Sequence, residues 1–202
     1  AADGLATSVW FEDLLKRWAP RLRDADGMTS EDTLEQALAV VDRFYARVPV
    51  GPTDPSLGGL LNWCRSEGVV SIGLTARRPA LAAVTWEQVG DRVPLDFNSQ
   101  ALPLGPDTIE RMDKSLRSSG HFAPDRTAAT WEGLSFERGV WFTANANKGA
   151  VLRQVLPPGR HVVFADDSLR HVHAVRGALD GHAASVFGLH FTAATAAARK
   201  RL

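Results

Sequence analysis

Cysteine is almost missing from this chain. Cys64 is the only one in 202 residues, so no internal disulfide can form and stability must come from an apolar core. Cys64 itself, within Leu60-Leu-Asn-Trp-Cys-Arg, reads as a small buried hydrophobe. Net charge is missing as well: 23 basic residues balance 23 acidic ones, and the pI is near 7.2. No global electrostatic argument for nucleic acid or an anionic membrane survives that balance. No apolar run approaches the roughly 20 residues that span a bilayer. No signal-peptide pattern opens the chain, and no internal repeat is visible. The chain starts with Ala1 rather than Met. We expect a trimmed or processed start, and the compartment, cytoplasmic or exported, stays open.

What is present is ordinary for a globular protein. The hydrophobic fraction of 45% and the charged fraction of 23% suit one sizeable core with a small accessory lobe. Helical spacing of Trp10, Phe11, Leu14, Leu15 and Trp18 predicts a first helix over 8–23. Ser30 caps a second, whose stripe is Leu34, Leu38, Val41 and Tyr45. Three prolines and a glycine make 49–55 a loop. A third helix spans about 57–67 and stops at Gly68. The stretch 69–74 reads as a strand and 79–89 as a helix. Four prolines make 90–138 look like an irregular insertion with one helix near 106–118. Strands follow at 140–143, 162–165 and 185–190, separated by helices from 147 to about 156 and over 168–179. The Ala-rich 193–198 looks like a fraying terminal helix. Strands alternating with helices predict an α/β fold with a parallel sheet in three layers.

The most informative segment is His161-Val-Val-Phe-Ala-Asp-Asp-Ser168. A short apolar run leads straight into two carboxylates, and open α/β sheets bind ligands at the carboxyl ends of their strands. Adjacent acids there need a cation or hydrogen-bond donors, and a hard metal such as Mg²⁺ suits them. Helix capping by the same acids is the plainer alternative. Thr75 follows the strand at 69–74, and Lys148 begins the helix after 140–143. If the strands are parallel, a hydroxyl, an ammonium and a carboxylate pair share one edge. That set suits a phosphoryl group. Lys148 alone could be a solvated residue after a turn, although a helix N-terminus disfavours a cation. Thr75 alone reads as a turn residue, and Arg77 either contacts substrate phosphate or forms a surface ion pair. His171 and His173, two apart on a helix, face different ways and do not form a joint metal site. The six tryptophans read as packing residues, with Trp131 and Trp141 as candidates for a pocket lining.

The ordered set Gly73-Leu-Thr75-Ala76-Arg77, Asn147-Lys148-Gly149 and Val163-Phe-Ala-Asp166-Asp167-Ser168 resembles three of the four motifs of the haloacid dehalogenase (HAD) superfamily. With Leu189-His-Phe-Thr192, it looks most like a little-characterised bacterial HAD-like group. The resemblance covers roughly 60–192. It implies a three-layer, Rossmann-like parallel sheet and Mg²⁺-dependent phosphoryl chemistry on a small phosphorylated substrate. Asp166 and Asp167 would bind the metal. Lys148 would stabilise the nucleophile and phosphoryl charge, and Thr75, Ala76 and Arg77 would contact the phosphate. Residues 1–56 would form a helical cap-like segment, and 57–202 the core with the insertion at about 90–138.

One motif of that family is absent. Its first motif, Asp-x-Asp-x-Thr, carries the nucleophile that becomes an aspartyl-phosphate. Asp24-Ala-Asp26-Gly-Met28 has the spacing but lacks the Thr and follows charged residues, and Asp3-Gly4 follows no strand. The family's first strand lies between those bearing the second and fourth motifs. Its loss leaves a gap of roughly 10 Å with unpaired backbone on both sides. We therefore expect the motif upstream of Ala1. The full-length protein would be a phosphohydrolase and this chain would be inactive. A degenerate HAD-fold binding protein without catalysis is the alternative. A receiver-like signalling domain is a weaker one, because there the acidic pair follows the first strand.

Overall fold

The computed structural model of the chain describes residues 56–90, 106–121 and 133–192, with isolated positions at 36, 39, 40, 42, 43, 46, 47, 54 and 97. The predicted helix over 8–23, the terminal helix at 193–198 and Trp131 lie outside the described residues. Among the positions from 36 to 47, all those described are helical.

The architecture is α/β. Helix α1 (Leu57–Ser66) leads to β1 (Gly73–Thr75), a single 3₁₀ turn (Pro79–Leu81), α2 (Ala82–Gly90) and α3 (Pro106–Ser119). Then come β2 (Ser135–Glu137), β3 (Val140–Phe142), α4 (Lys148–Val155), β4 (His161–Asp166), α5 (Leu169–Leu179) and β5 (Ser185–His190). Strands β1 and β3 are parallel, with Thr75 opposite Phe142. Strand β2 runs antiparallel on the far side of β3. Strands β4 and β5 form a separate parallel pair, His161 opposite Ser185 through Asp166 opposite His190. Among the described residues, β1 pairs only with β3, and β4 only with β5.

Two sequence expectations change here. Among the described residues the strands fall into two sheets, and β2 is antiparallel where a wholly parallel sheet was expected. The antiparallel strand comes from a tight turn at Arg138-Gly139, both at positive φ (48° and 81°). That geometry matches the twist of a two-residue hairpin and favours glycine at its second position. The stretch 90–138 is also more than an irregular insertion. It supplies α3 and β2, and buries Met112, Leu116 and Leu134 in the main core.

That core lies between the sheets and a layer of three helices. On α3, Ile109, Met112 and Leu116 recur at helical spacing and face inward, while Glu110 and Lys114 pair on the outside at 2.6 Å. On α5 the stripe is Val172, Val175 and Leu179. Helix α4 packs between these two and buries Val151, Leu152 and Val155. Trp141 of β3 and Phe164 of β4 enter the same cluster, with Leu74 and Val162 packed against it. Both sheets therefore rest on one helix layer. Behind β3, Val140 and Phe142 meet Ala82, Trp86 and Phe97. The β1–β3 sheet thus has cover on both faces. On β4 and β5, Val163 is 71% exposed and Phe187 64%, so one face of this pair has no cover among the described residues.

Trp141 is fully buried and packs on Phe136 with ring centroids 5.0 Å apart. It is a core residue and does not line a pocket, as its place in the centre of a three-stranded sheet requires.

Helices α4 and α5 approach closely because of Gly149. A Cβ at this position would clash with the Ala174 carbonyl oxygen and sit 2.8 Å from Ala178 Cβ. Gly149→Ala should therefore destabilise the fold by about 1–3 kcal/mol through overpacking. Gly59 is the control. It lies in α1 with nothing within 4 Å of an added Cβ, so Gly59→Ala should be neutral or stabilise by up to about 1 kcal/mol. Urea unfolding of both variants checks the contrast.

Candidate functional site

The site is assembled by two loops that lock together. After β1, the carbonyl groups of Thr75, Ala76 and Arg77 point toward the loop after β3. The N–H groups of Thr143, Ala144 and Asn145 donate to Thr75, Arg77 and Ala76 at 3.0, 3.1 and 3.0 Å. The buried Thr143 hydroxyl adds a second bond to the Thr75 carbonyl at 2.9 Å. The second loop can reach because Ala144 and Asn145 adopt positive φ, 45° and 69°. For a residue with a Cβ, this left-handed geometry costs on the order of 1–2 kcal/mol, and the three backbone bonds offset it.

The loop ends at Asn147, whose side chain accepts from the N–H groups of Gly149 and Ala150 at 2.9 and 3.1 Å. This cap fixes Lys148 as the first residue of α4. A helix N-terminus disfavours a cation, yet the Lys148 side chain is only 10% exposed. The compensation is Asp166. Lys148 Nζ donates to Asp166 Oδ2 at 2.6 Å, and the Asp166 side chain is 6% exposed.

Asp166 is the last residue of β4. Its other oxygen, Oδ1, accepts the Ser168 N–H at 2.8 Å and faces His171 Nδ1 at 3.0 Å. Burial acts to raise the pKa of this carboxyl. The hydrogen bond from His171, the charge and hydrogen bond of Lys148, and the Ser168 N–H together outweigh it and hold Asp166 well below the usual carboxylate range. An ionised carboxylate only accepts hydrogen bonds. His171 therefore carries its proton on Nδ1, and in the neutral ring Nε2 is the free acceptor.

The expected residues fare differently. Thr75, Lys148 and Asp166 come to one edge: β1 and β3 are parallel, and the end of β4 touches the first residue after the β3 loop. Thr75 Oγ1 accepts the Arg77 N–H at 3.2 Å, and its hydroxyl proton meets no acceptor among the described residues. Ala76 is exposed beside it. The Arg77 guanidinium bonds Thr85 Oγ1 and Gln88 Oε1 of α2 at 2.8 and 2.9 Å, which ties the β1 loop to that helix. The acidic pair is split. Asp167 is exposed, and its backbone carbonyl accepts from His190 Nε2 at 3.1 Å. Among the described residues no group of three or more His, Cys, Asp or Glu gathers to hold a metal. No helix of the described residues is long and apolar enough to cross a membrane.

His171 is the residue that sequence reasoning missed. Considered beside His173, it reads in the sequence as a solvated or structural residue. The usable signal was its place in the first turn of a helix that starts just after a strand-terminal Asp. There a side chain can reach back to the carboxylate. His173 is exposed.

Asp166→Asn should strand a buried ammonium and lower stability by about 3–5 kcal/mol near neutral pH. The sign of its pH dependence follows from the depressed pKa. The carboxylate's stabilisation is complete above its ordinary value of 3.8 and is lost as pH falls below that value toward the folded-state pKa. Urea melts of the parent and variant from about pH 7 to about pH 2 should therefore converge at the acid end. A gap that stays constant would contradict the assignment.

Comparison with known proteins gives one match. No curated protein and no solved structure matches the chain. A family described as "Protein of unknown function (DUF2608)" matches residues 3–201, nearly the whole chain. The chain belongs to this DUF2608 family.

Proposed function

We propose that residues 1–202 carry the phosphate-holding part of a HAD-like phosphohydrolase acting on a small phosphorylated molecule. The observation that carries this reading is the buried Lys148–Asp166 pair, on the edge where the Thr75 hydroxyl proton meets no acceptor among the described residues. Lys148 has three N–H donors and one acceptor among the described residues, so it can bond phosphoryl oxygens without leaving Asp166. Thr75 supplies a further donor. Donors fixed in a partly buried site stabilise developing negative charge more than donors in water do. The split between β1 and β4 is also in keeping with a Rossmann-like HAD sheet whose first strand would lie between them.

The residues fit Mg²⁺ as a partial ligand set. Asp166 Oδ2 keeps one acceptor position beside Lys148, and the Asp167 carboxylate is exposed with no partner among the described residues. Mg²⁺ is suited to one or two carboxylates, with water and phosphate oxygens completing its octahedron. Bound there, it would neutralise phosphoryl charge.

Hydrolysis through an aspartyl-phosphate needs a carboxylate nucleophile with a second acid two residues later and a following Thr. Residues 1–202 contain no such triplet. The reading therefore predicts binding without turnover for this chain. The alternative, a HAD-fold binding protein without catalysis, shares that prediction. The two part where a longer parent sequence either contains Asp-x-Asp-x-Thr or lacks it.

Titration of the chain with inorganic phosphate and Mg²⁺, followed by amide NMR, tests the site. Shifts should centre on residues 75–77, 147–150 and 166–171. Lys148→Met should weaken binding by about tenfold or more, the scale of one charge-assisted hydrogen bond. Mg²⁺-dependent hydrolysis of a simple phosphate monoester by the 202-residue chain would refute the no-turnover expectation. Absence of any shift would refute the site.

A further inference from the structure

We infer that His171 is a phosphoryl acceptor: its Nε2 can be phosphorylated by a donor with a good leaving group, such as an acyl phosphate or a phosphoramidate. The inference rests on the reading that the Lys148 edge receives a phosphoryl group, and adds a nucleophile within this chain.

Four features of the geometry support it. His171 Nδ1 lies 3.0 Å from Asp166 Oδ1, which places the proton of the neutral ring on Nδ1 and leaves the lone pair on Nε2. Nε2 itself has no hydrogen-bond partner among the described residues. The His171 side chain is 22% exposed while its carboxylate partner is 6% exposed. The base that orients the ring is therefore sheltered and the ring itself is reachable. Finally, the Lys148 ammonium sits on the other oxygen of the same carboxylate at 2.6 Å, so one carboxylate joins a cation to the ring it orients. A nucleophile oriented by a third group is the general pattern of covalent catalysis.

The step balances. The Nε2 lone pair forms a bond to phosphorus as the bond from phosphorus to the leaving group breaks. The leaving group departs with that electron pair, as a carboxylate from an acyl phosphate or as ammonia, after protonation by solvent, from phosphoramidate. The Nδ1 proton stays between His171 and Asp166, whose negative charge offsets the positive charge that develops on the ring. Phosphate monoesters, with poorer leaving groups, are not donors for this step, consistent with the absence of monoester turnover expected above.

The test incubates the chain separately with acetyl phosphate and with phosphoramidate, then measures intact mass and maps the modified residue. The expected result is one added phosphoryl group on His171, labile in acid and stable in alkali. A phosphoaspartate is labile in alkali, and Ser or Thr phosphate esters survive acid, so stability identifies an N-linked phosphate and the mapping separates His171 from a lysine. His171→Gln should abolish the adduct and His173→Gln should leave it. Asp166→Asn should reduce labelling by about tenfold or more, the usual effect of removing a histidine's orienting carboxylate. Mapping in the parent chain decides the matter even if a variant fails to fold. No mass gain with either donor, or an adduct on another residue, overturns the proposal. Binding of inorganic phosphate without an adduct overturns the acceptor role alone and leaves the phosphate-holding site standing.

Discussion

The ion pair between Lys148 and Asp166 is the contact on which the rest of the structure turns. One partner begins the helix that follows β3, and the other ends β4. The described strands fall into two sheets that share no ladder. The bond between these residues, with the common helix layer of α3, α4 and α5, holds the exits of both sheets at one edge. A lysine this buried at a helix N-terminus is unfavourable in isolation. Its cost is met by a carboxylate that two further donors, the Ser168 N–H and His171, hold in place. Neither residue is explicable without the other.

The same pairing explains why the neighbouring loops are built as they are. Asn147 caps α4 so that Lys148 points from its first turn. The left-handed residues Ala144 and Asn145 bring three successive N–H groups onto the carbonyls after β1. Gly149 then allows α4 to lie against α5, which carries His171. Local strain in the loop and close contact between the helices both serve the placement of one ammonium beside one carboxylate.

Much of this was legible in the sequence because the signals were local. Apolar periodicity gave α3, α4, α5, β4 and β5 to within a residue or two, and Gly68 and Asn147 marked helix ends through their own backbone and side-chain chemistry. Thr75, Lys148 and Asp166 could be grouped by where they leave their strands. Other features were not legible because they depend on partners far along the chain. The strand at 135–137 is short and exists through its hairpin with β3. Arg77 reads in the sequence as a phosphate contact or a surface ion pair, and its bonds to Thr85 and Gln88 depend on the packing of α2. Asp166 and Asp167 look equivalent in sequence, but strand alternation buries the first and exposes the second. His171 acquires meaning only when the helix start folds back on the end of β4.

Lys148 and Asp166 act as one unit. A double-mutant cycle with Lys148→Met and Asp166→Asn, read by urea unfolding near neutral pH, measures it most directly. The expected coupling is about 2–3 kcal/mol, the upper range for residues in one buried network. Additive effects of the two substitutions would contradict it.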